Sequence, residues 1–445
     1  MHPRTRARLF AAVGGIVVLF PAASSVPSPL YPLYQQLFGF SAATITVIFA
    51  VYVVGLLASL LVIGALSDHV GRKPVLVGAL VLEAASFAVF LGAGGVTALL
   101  VARVIQGIAT GAAITTLGAT MVDLAPPEAP HRAGMITGVG TLAGLAAGAV
   151  GAGALIQLAP APTRLVWIVL LALLAVSAVV VAVLPETSAR RAGVWASLVP
   201  RVGVAPRLRG EVLAVTPVLV TSWALGGLYL SLGPSIAGSL LGVSSHLVGG
   251  LVVTLLCGTG ALTSFLLRDR PVRSLLAPAA GLLAGGTAVT LVGFAVTSLL
   301  LTALGTVVAG VGFGAAALAC FGVFAEIAGP TERGSLFALA YVIAYTAFSV
   351  PAVIAGVGSG LVGLATAAEI YGAVVVVLGA GSAALTLAHG RRRAVSETPT
   401  GDTEDRRTVT SPPVVVTVSE TPEIVSPANP PRTDECTTQR VNSAP

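Results

Sequence analysis

Glu83 and Arg103 are the residues of this chain whose chemistry contrasts most with their surroundings. Glu83 sits in VLVGALVLEAASF, the one acid in the middle of an apolar run, and Arg103 in LLVARVIQGIATGAA. A carboxyl group and a guanidinium in such a setting can take up and release a proton, or hold each other in a fixed ion pair. The turn between the two runs centres near Gly94 and Gly95. Counted from it, a rise of 1.5 Å per helical residue puts the two at depths differing by roughly 5 Å. Long side chains span that gap. Three roles stay open: Glu83 as carrier of a coupling proton, the pair as a static brace, or Arg103 snorkelling to the nearer surface.

A second concentration of charge is GALSDHVGRKP, residues 64–74. Only 9% of the chain is Asp, Glu, Lys or Arg, yet Asp68, Arg72 and Lys73 fall together here, with His69 among them. Gly64 and Gly71 permit close backbone approach and a tight turn, and Pro74 suits the first turn of a following helix. Two further stretches echo each other. DLAPPEAPHRAG (123–134) and EIAGPTERG (326–334) both read acid, apolar residues, proline, acid, then Arg and Gly. Asp123 to Glu326 is an offset of 203, and Arg132 to Arg333 is 201.

The elements that must position these residues follow from composition. The chain of 445 residues is 56% hydrophobic, far greasier than a soluble domain with its roughly 25% of charged residues. Residues 42–67 contain no charge at all, enough for a helix that needs about 20 residues to cross the hydrocarbon core. Such runs recur as far as Ala388, rich in Gly and Ala, the small residues that let membrane helices pack closely. The spans are expected near 10–29, 42–66, 74–93, 97–122, 133–158, 164–184, 213–236, 246–267, 275–296, 298–325, 335–360 and 365–388. The basic start MHPRTRARLF leads into a first helix expected to be retained rather than cleaved. Among the connections, the even-numbered ones carry Arg72, Lys73, Arg132, Arg190, Arg191, Arg201, Arg207, Arg209, Arg268, Arg270, Arg273 and Arg333, and the odd-numbered ones only Arg164. The excess of positive charge on cytoplasmic loops then places both termini inside an inner, cell membrane.

Residues 1–9 thus form a basic cytoplasmic start, 10–184 a first six-helix bundle, 185–212 a central loop, and 213–388 a second bundle. Residues 389–445 form a basic stop and a Pro- and Ser/Thr-rich tail expected to be disordered. The cysteines Cys257, Cys320 and Cys436 are scattered, and no histidine falls in the middle of a span, so neither a disulfide framework nor a metal site is expected. No nucleotide-binding Gly-rich loop ending in Lys-Ser/Thr is present.

The spacing Gly64, Leu66, Ser67, Asp68, Gly71, Arg72, Lys73 closely resembles the span 2–3 loop motif of the major facilitator superfamily, with His69 where the family usually has Arg. Arg103, Gln106, Gly107 and Gly111 resemble its span 4 motif. GLAAGAVGAGAL (144–155) is similar to the glycine-rich span 5 motif of drug exporters, although Ala149 follows Gly148 where those have proline. The resemblance implies an all-α fold of twelve transmembrane helices in two pseudo-symmetric six-helix bundles. It implies a conformational latch at Gly64, Asp68, Gly71, Arg72 and Lys73, to which the repeated Asp123 and Arg132 are added. It also implies a secondary transporter moving a small organic solute by alternating access.

Proton-coupled efflux of a drug-like or amphipathic compound is the leading expectation; a uniporter or proton symporter importing a sugar or other metabolite is the alternative. Glu83, Arg103 and Gln106, with Ser24 and Ser25 in the proline-broken span 1, and Trp223, Tyr341 and Tyr345 in the second half, are the candidates for coupling and substrate contact. No cofactor beyond a proton gradient is expected. The expected partners are a small-molecule substrate and the bilayer, with no nucleic acid, and the chain is expected to act as a monomer. A membrane enzyme would need clustered His, Asp or Glu at one face, and a sensor a folded output domain; the sequence displays neither.

Overall fold

The computed structural model describes residues 2–188, 192–240, 245–329 and 331–397. Residues 1–396 gather into one unit by their mutual contacts. The last helix, Leu364–Glu397, continues through the basic stop into the start of the stretch expected to be disordered, and the rest of that tail, residues 398–445, lies outside the described residues, as do Arg190, Arg191 and Cys436.

Within the described residues the chain is an all-helical polytopic membrane protein without strands. Twelve helices are long and apolar enough to cross a bilayer. They are span 1 (Arg4–Phe38), span 2 (Ala42–Ile63), span 3 (Arg72–Leu91), span 4 (Val96–Leu124), span 5 (His131–Leu158), span 6 (Leu165–Val183), span 7 (Pro206–Ser231), span 8 (His246–Leu266), span 9 (Val272–Ala295), span 10 (Leu299–Ile327), span 11 (Arg333–Val362) and span 12 (Leu364–His389).

Span 1 runs further than its prolines suggest. Its first helix, Pro3–Ser25, passes through Pro21 and ends at Val26, and a second helix, Pro27–Phe38, starts at once. Pro27 and Pro29 fall in that helix's first turn, where N–H groups have no intrahelical partner, so prolines cost little there. Ser41 caps span 2 by accepting from the Thr44 N–H, and Ser298 caps span 10 by accepting from the Leu301 N–H.

Two halves of six spans repeat one plan. Span 4 packs on span 2 as span 10 packs on span 8. Gly107 and Gly111 lie where a Cβ would strike the Tyr52 and Leu56 carbonyls. Gly310 and Gly314 lie in the same way against Leu256 and Gly260. Small residues four apart thus bring backbones together in both halves. The halves meet where span 2 packs on span 11 and span 5 on span 8. That seam is also built from small residues: Gly153 faces His246 and Gly250, Gly250 faces the Ala149 carbonyl, and Gly356 faces Thr46. The Thr254 hydroxyl crosses it to donate to the Ala146 carbonyl, 2.9 Å away.

Candidate functional site

A cavity of about 610 Å³ lies between the halves, within the usual range for small-molecule sites. It extends from Ser24, Tyr52 and Arg103 to Gly134, Arg268, Ala325 and Arg333 at the ends of spans 5, 8, 10 and 11. These are the ends that carry the arginine-rich connections, and there the cavity opens. The opposite end is shut by contacts between halves. The Ser28 hydroxyl donates to the Leu230 carbonyl, and Gln157 Oε1 accepts from the His246 N–H at 3.1 Å and from the Ser245 hydroxyl at 3.4 Å.

The floor of the cavity is a polar cluster held by spans 1 to 4. Arg103, Glu83 and Gln106 are each at most 1% exposed. Arg103 Nη1 donates to Gln106 Oε1 at 2.7 Å and to the Ser24 carbonyl at 3.2 Å. Gln106 Nε2 in turn donates to Glu83 Oε1 at 3.3 Å and to the Ala23 carbonyl at 3.2 Å. No carboxylate–guanidinium contact within 4 Å joins Glu83 to Arg103, so the direct brace is absent and Gln106 bridges them. Nor does Arg103 snorkel: its guanidinium stacks 4.2 Å over the Tyr52 ring. Tyr52 donates to the Ser24 hydroxyl at 2.8 Å. Two buried atoms here, Glu83 Oε2 and Arg103 Nε, make no hydrogen bond. Arg103, Ser24 and Tyr52 line the cavity, whereas Glu83 lies behind Gln106.

The wall from the second half is aromatic. Trp223 stands edge-on to Tyr345 (centroids 4.8 Å apart) and Phe348 (5.6 Å), and Phe321 stacks at a tilt on Tyr341 (5.3 Å). Phe49 of span 2 meets Phe348 at 4.9 Å. Trp223, Tyr341 and Tyr345 therefore face the cavity. Ser25 does not: its hydroxyl bonds the Ala22 carbonyl and packs on Gly148 of span 5. The glycine-rich run of span 5 is a two-sided wedge. Gly144 and Gly148 seat span 1, and Gly153 seats span 8.

At the arginine-rich end, Arg72 gathers the loop. It pairs with Asp68, donates to the Ser67 hydroxyl at 2.6 Å and reaches Asp123 Oδ2 at 3.4 Å. Gly64 closes span 2, its N–H bonded to the Leu60 carbonyl. Gly71 takes φ of +104°, a conformation that disfavours any side chain. A Cβ there would meet Glu186, whose carboxylate accepts from the Arg72 N–H (2.7 Å) and the Lys73 N–H (3.2 Å) and so caps span 3. Partial burial pushes the Glu186 carboxyl up, but backbone N–H donors from Arg72, Ser188, Lys73 and Thr187 outweigh it and hold the group below the usual range. Lys73 Nζ donates to the Ala182 carbonyl, and His69 Nδ1 lies 3.0 Å from the Ala192 carbonyl. All these partners precede span 7, so among the described residues no bond from the expected latch residues crosses the halves while this end is open. Arg132 is exposed, and no ion pair forms at it among the described residues. The second half repeats the arrangement: Arg273 reaches Glu326 at 3.4 Å and Glu211 at 2.9 Å, and Arg207 pairs with Glu332.

Sequence reasoning missed Glu186, Arg6 and the aromatics Phe49, Phe321 and Phe348. Arg6 donates to the carbonyls of Leu124 and Ala125 at 3.1 and 2.6 Å. Its place in a basic N-terminal stretch signals only topology.

Comparison with known proteins agrees with this geometry. The sequence profile of the Major Facilitator Superfamily matches residues 13–352. Over 113 residues the chain is 33% identical to the multidrug resistance protein MdtL of Shewanella oneidensis, a match covering 25% of this chain and 28% of MdtL. The crystal structure of the human organic anion transporter MFSD10 (TETRAN) superposes with a TM-score of 0.63 at 20% identity, covering 86% of this chain and 99% of that one. A bacterial homologue of the human lysosomal transporter Spinster, in an inward-facing and unoccupied conformation, superposes with a TM-score of 0.64 at 16% identity, covering 87% and 97%. At these identities the two structures establish the shared fold.

Proposed function

The chain belongs to the Major Facilitator Superfamily, and from that premise we propose that it is a secondary active transporter exporting a small amphipathic solute in exchange for protons. One observation carries the reading: a cavity of solute size ends on a buried guanidinium that Gln106 links to a buried carboxyl group. Glu83 Oε2 has no hydrogen bond to break, so a proton can be taken and given there. Gln106 passes the change in charge to Arg103 and thus to the cavity. The aromatic wall suits an amphipathic solute better than a sugar, which needs many convergent polar groups. The similarity to MdtL, though it covers 28% of that protein, supports export of drug-like compounds. The arginine-rich end faces the cytoplasm on this reading, so the cavity opens inward.

Proteoliposomes with an imposed pH gradient test the proposal. The wild type is expected to accumulate solute against its gradient. Glu83→Gln is expected to keep solute exchange at equal pH and lose gradient-driven accumulation. Accumulation by Glu83→Gln at the wild-type level would remove Glu83 as the proton site, and absence of any flux would sink the transporter reading.

A further inference from the structure

We infer that the transported solute is an amphipathic organic monoanion whose acid group seats on Arg103 and whose apolar body lies against Trp223, Tyr345 and Phe348; this rests on the transport reading above. Among the described residues the charged side chains lining the cavity are Arg103, Arg268 and Arg333, with no Asp or Glu. The two outer arginines stand at the mouth. Arg268 is held over the Phe265 ring and lies 3.4 Å from the exposed Asp269. Arg333 is exposed, and no ion pair forms at it among the described residues. Positive charge at a low-dielectric opening raises the local concentration of anions.

Arg103 itself is 1% exposed and has donor capacity to spare. Nη1 is engaged by Gln106 and the Ser24 carbonyl, and the buried Tyr31 hydroxyl lies against the guanidinium, while the buried Nε makes no hydrogen bond. A guanidinium presents five donors in a plane that matches the two oxygens of an acid group. Glu83 does not occupy that face, because Gln106 stands between them. Tyr52 covers the guanidinium from one side at 4.2 Å and keeps its plane fixed. One deep cation accommodates one negative charge; a second would be stranded among aromatic rings without a partner. An ammonium solute would meet Arg103 as a like charge.

The test is isothermal titration calorimetry of the purified full chain with three probes of one shape: 2-naphthoate, the neutral 2-naphthamide and 2-naphthylmethylammonium. Naphthoate is expected to bind about ten-fold tighter than the amide, the scale of a charge-assisted hydrogen bond, and the ammonium weakest. Arg103→Gln is expected to shrink the naphthoate-to-amide ratio to within about two-fold, and Arg103→Lys to give an intermediate value. Trp223→Ala is expected to weaken all three probes alike. The ranking in the wild type decides the matter even if an Arg103 variant fails to fold. Amide or ammonium binding as tightly as naphthoate, a preference unchanged in Arg103→Gln, or no binding by any probe would each overturn the inference. Vesicle flux of the bound probe separates it from the transport reading. Naphthoate bound but never carried would keep the anion site and remove transport; ammonium carried in preference would keep transport and remove the anion site.

Discussion

Glu186 has a consequence for pH that can be read at a single carboxylate. Its folded pKa is depressed, so the stability it contributes is present above the ordinary glutamate range and is lost as pH falls through the lowered value. Glu186→Gln is therefore expected to melt at lower temperature than the wild type at neutral pH. The gap should close in strong acid, where the wild-type carboxylate is protonated too. Thermal melts of both proteins across an acid series check this; a gap independent of pH would show that the cap works by shape alone. The residue itself was not legible in the sequence. It lies 114 positions from Arg72, and a Pro-Glu pair at a helix end predicts no partner. Gln106 was legible as part of a motif, but its task of bridging Glu83 and Arg103 depends on the backbones of spans 1, 3 and 4 meeting at one level. The i, i+4 spacing of Asp68 and Arg72 allows their pairing, although the motif they share implies only that both belong to a latch.

At the scale of elements, the long apolar runs made the spans legible, and the echo of Asp123 in Glu326 made the duplication legible. The echo is geometric as well: Arg72 reaches Asp123 and Arg273 reaches Glu326, each at 3.4 Å. Where the echo stops is legible too, since the second half has no charge in the middle of a span. The place of Arg103 in span 4 is taken in span 10 by Thr306, hydrogen-bonded to Tyr229 at 2.9 Å. Among the described residues the buried cluster of Glu83, Gln106 and Arg103 therefore has no counterpart in the second half. Span 1, expected over 10–29, runs on to Phe38, because a proline at a first turn can open a helix as well as break one. The seam of spans 5 and 8 yields a prediction at this scale. A side chain at Gly250 would meet the Ala149 carbonyl, and overpacking of this kind costs about 1–3 kcal/mol. Gly250→Val is expected to lower the melting temperature and to abolish transport. Full flux in that variant would mean that spans 5 and 8 need not approach so closely.

For the whole molecule, alternating access requires the shut end to part. Gln157 and Ser245 meet across it. In a Cys436→Ser background, Gln157→Cys with Ser245→Cys joined by a short thiol linker is expected to bind solute from the open end and to carry none across. Cys257 and Cys320, both fully buried, should not compete for the reagent. Continued transport after complete cross-linking would sink the rocking of one half against the other. The one-ended cavity also shapes the membrane as an electrical insulator. On the proposed function, water filling the cavity from the arginine-rich end would stop at Arg103, about 10 Å from the start of span 4 at Val96 by helical rise, and only that sealed thickness would separate two conducting phases. A membrane voltage would then drop almost wholly across it. A solute charge seated on Arg103, as inferred above, would stand nearly at the potential of the open compartment. Switching the seal to the other side carries that charge through almost the full voltage, about 2.3 kcal/mol per elementary charge for each 100 mV.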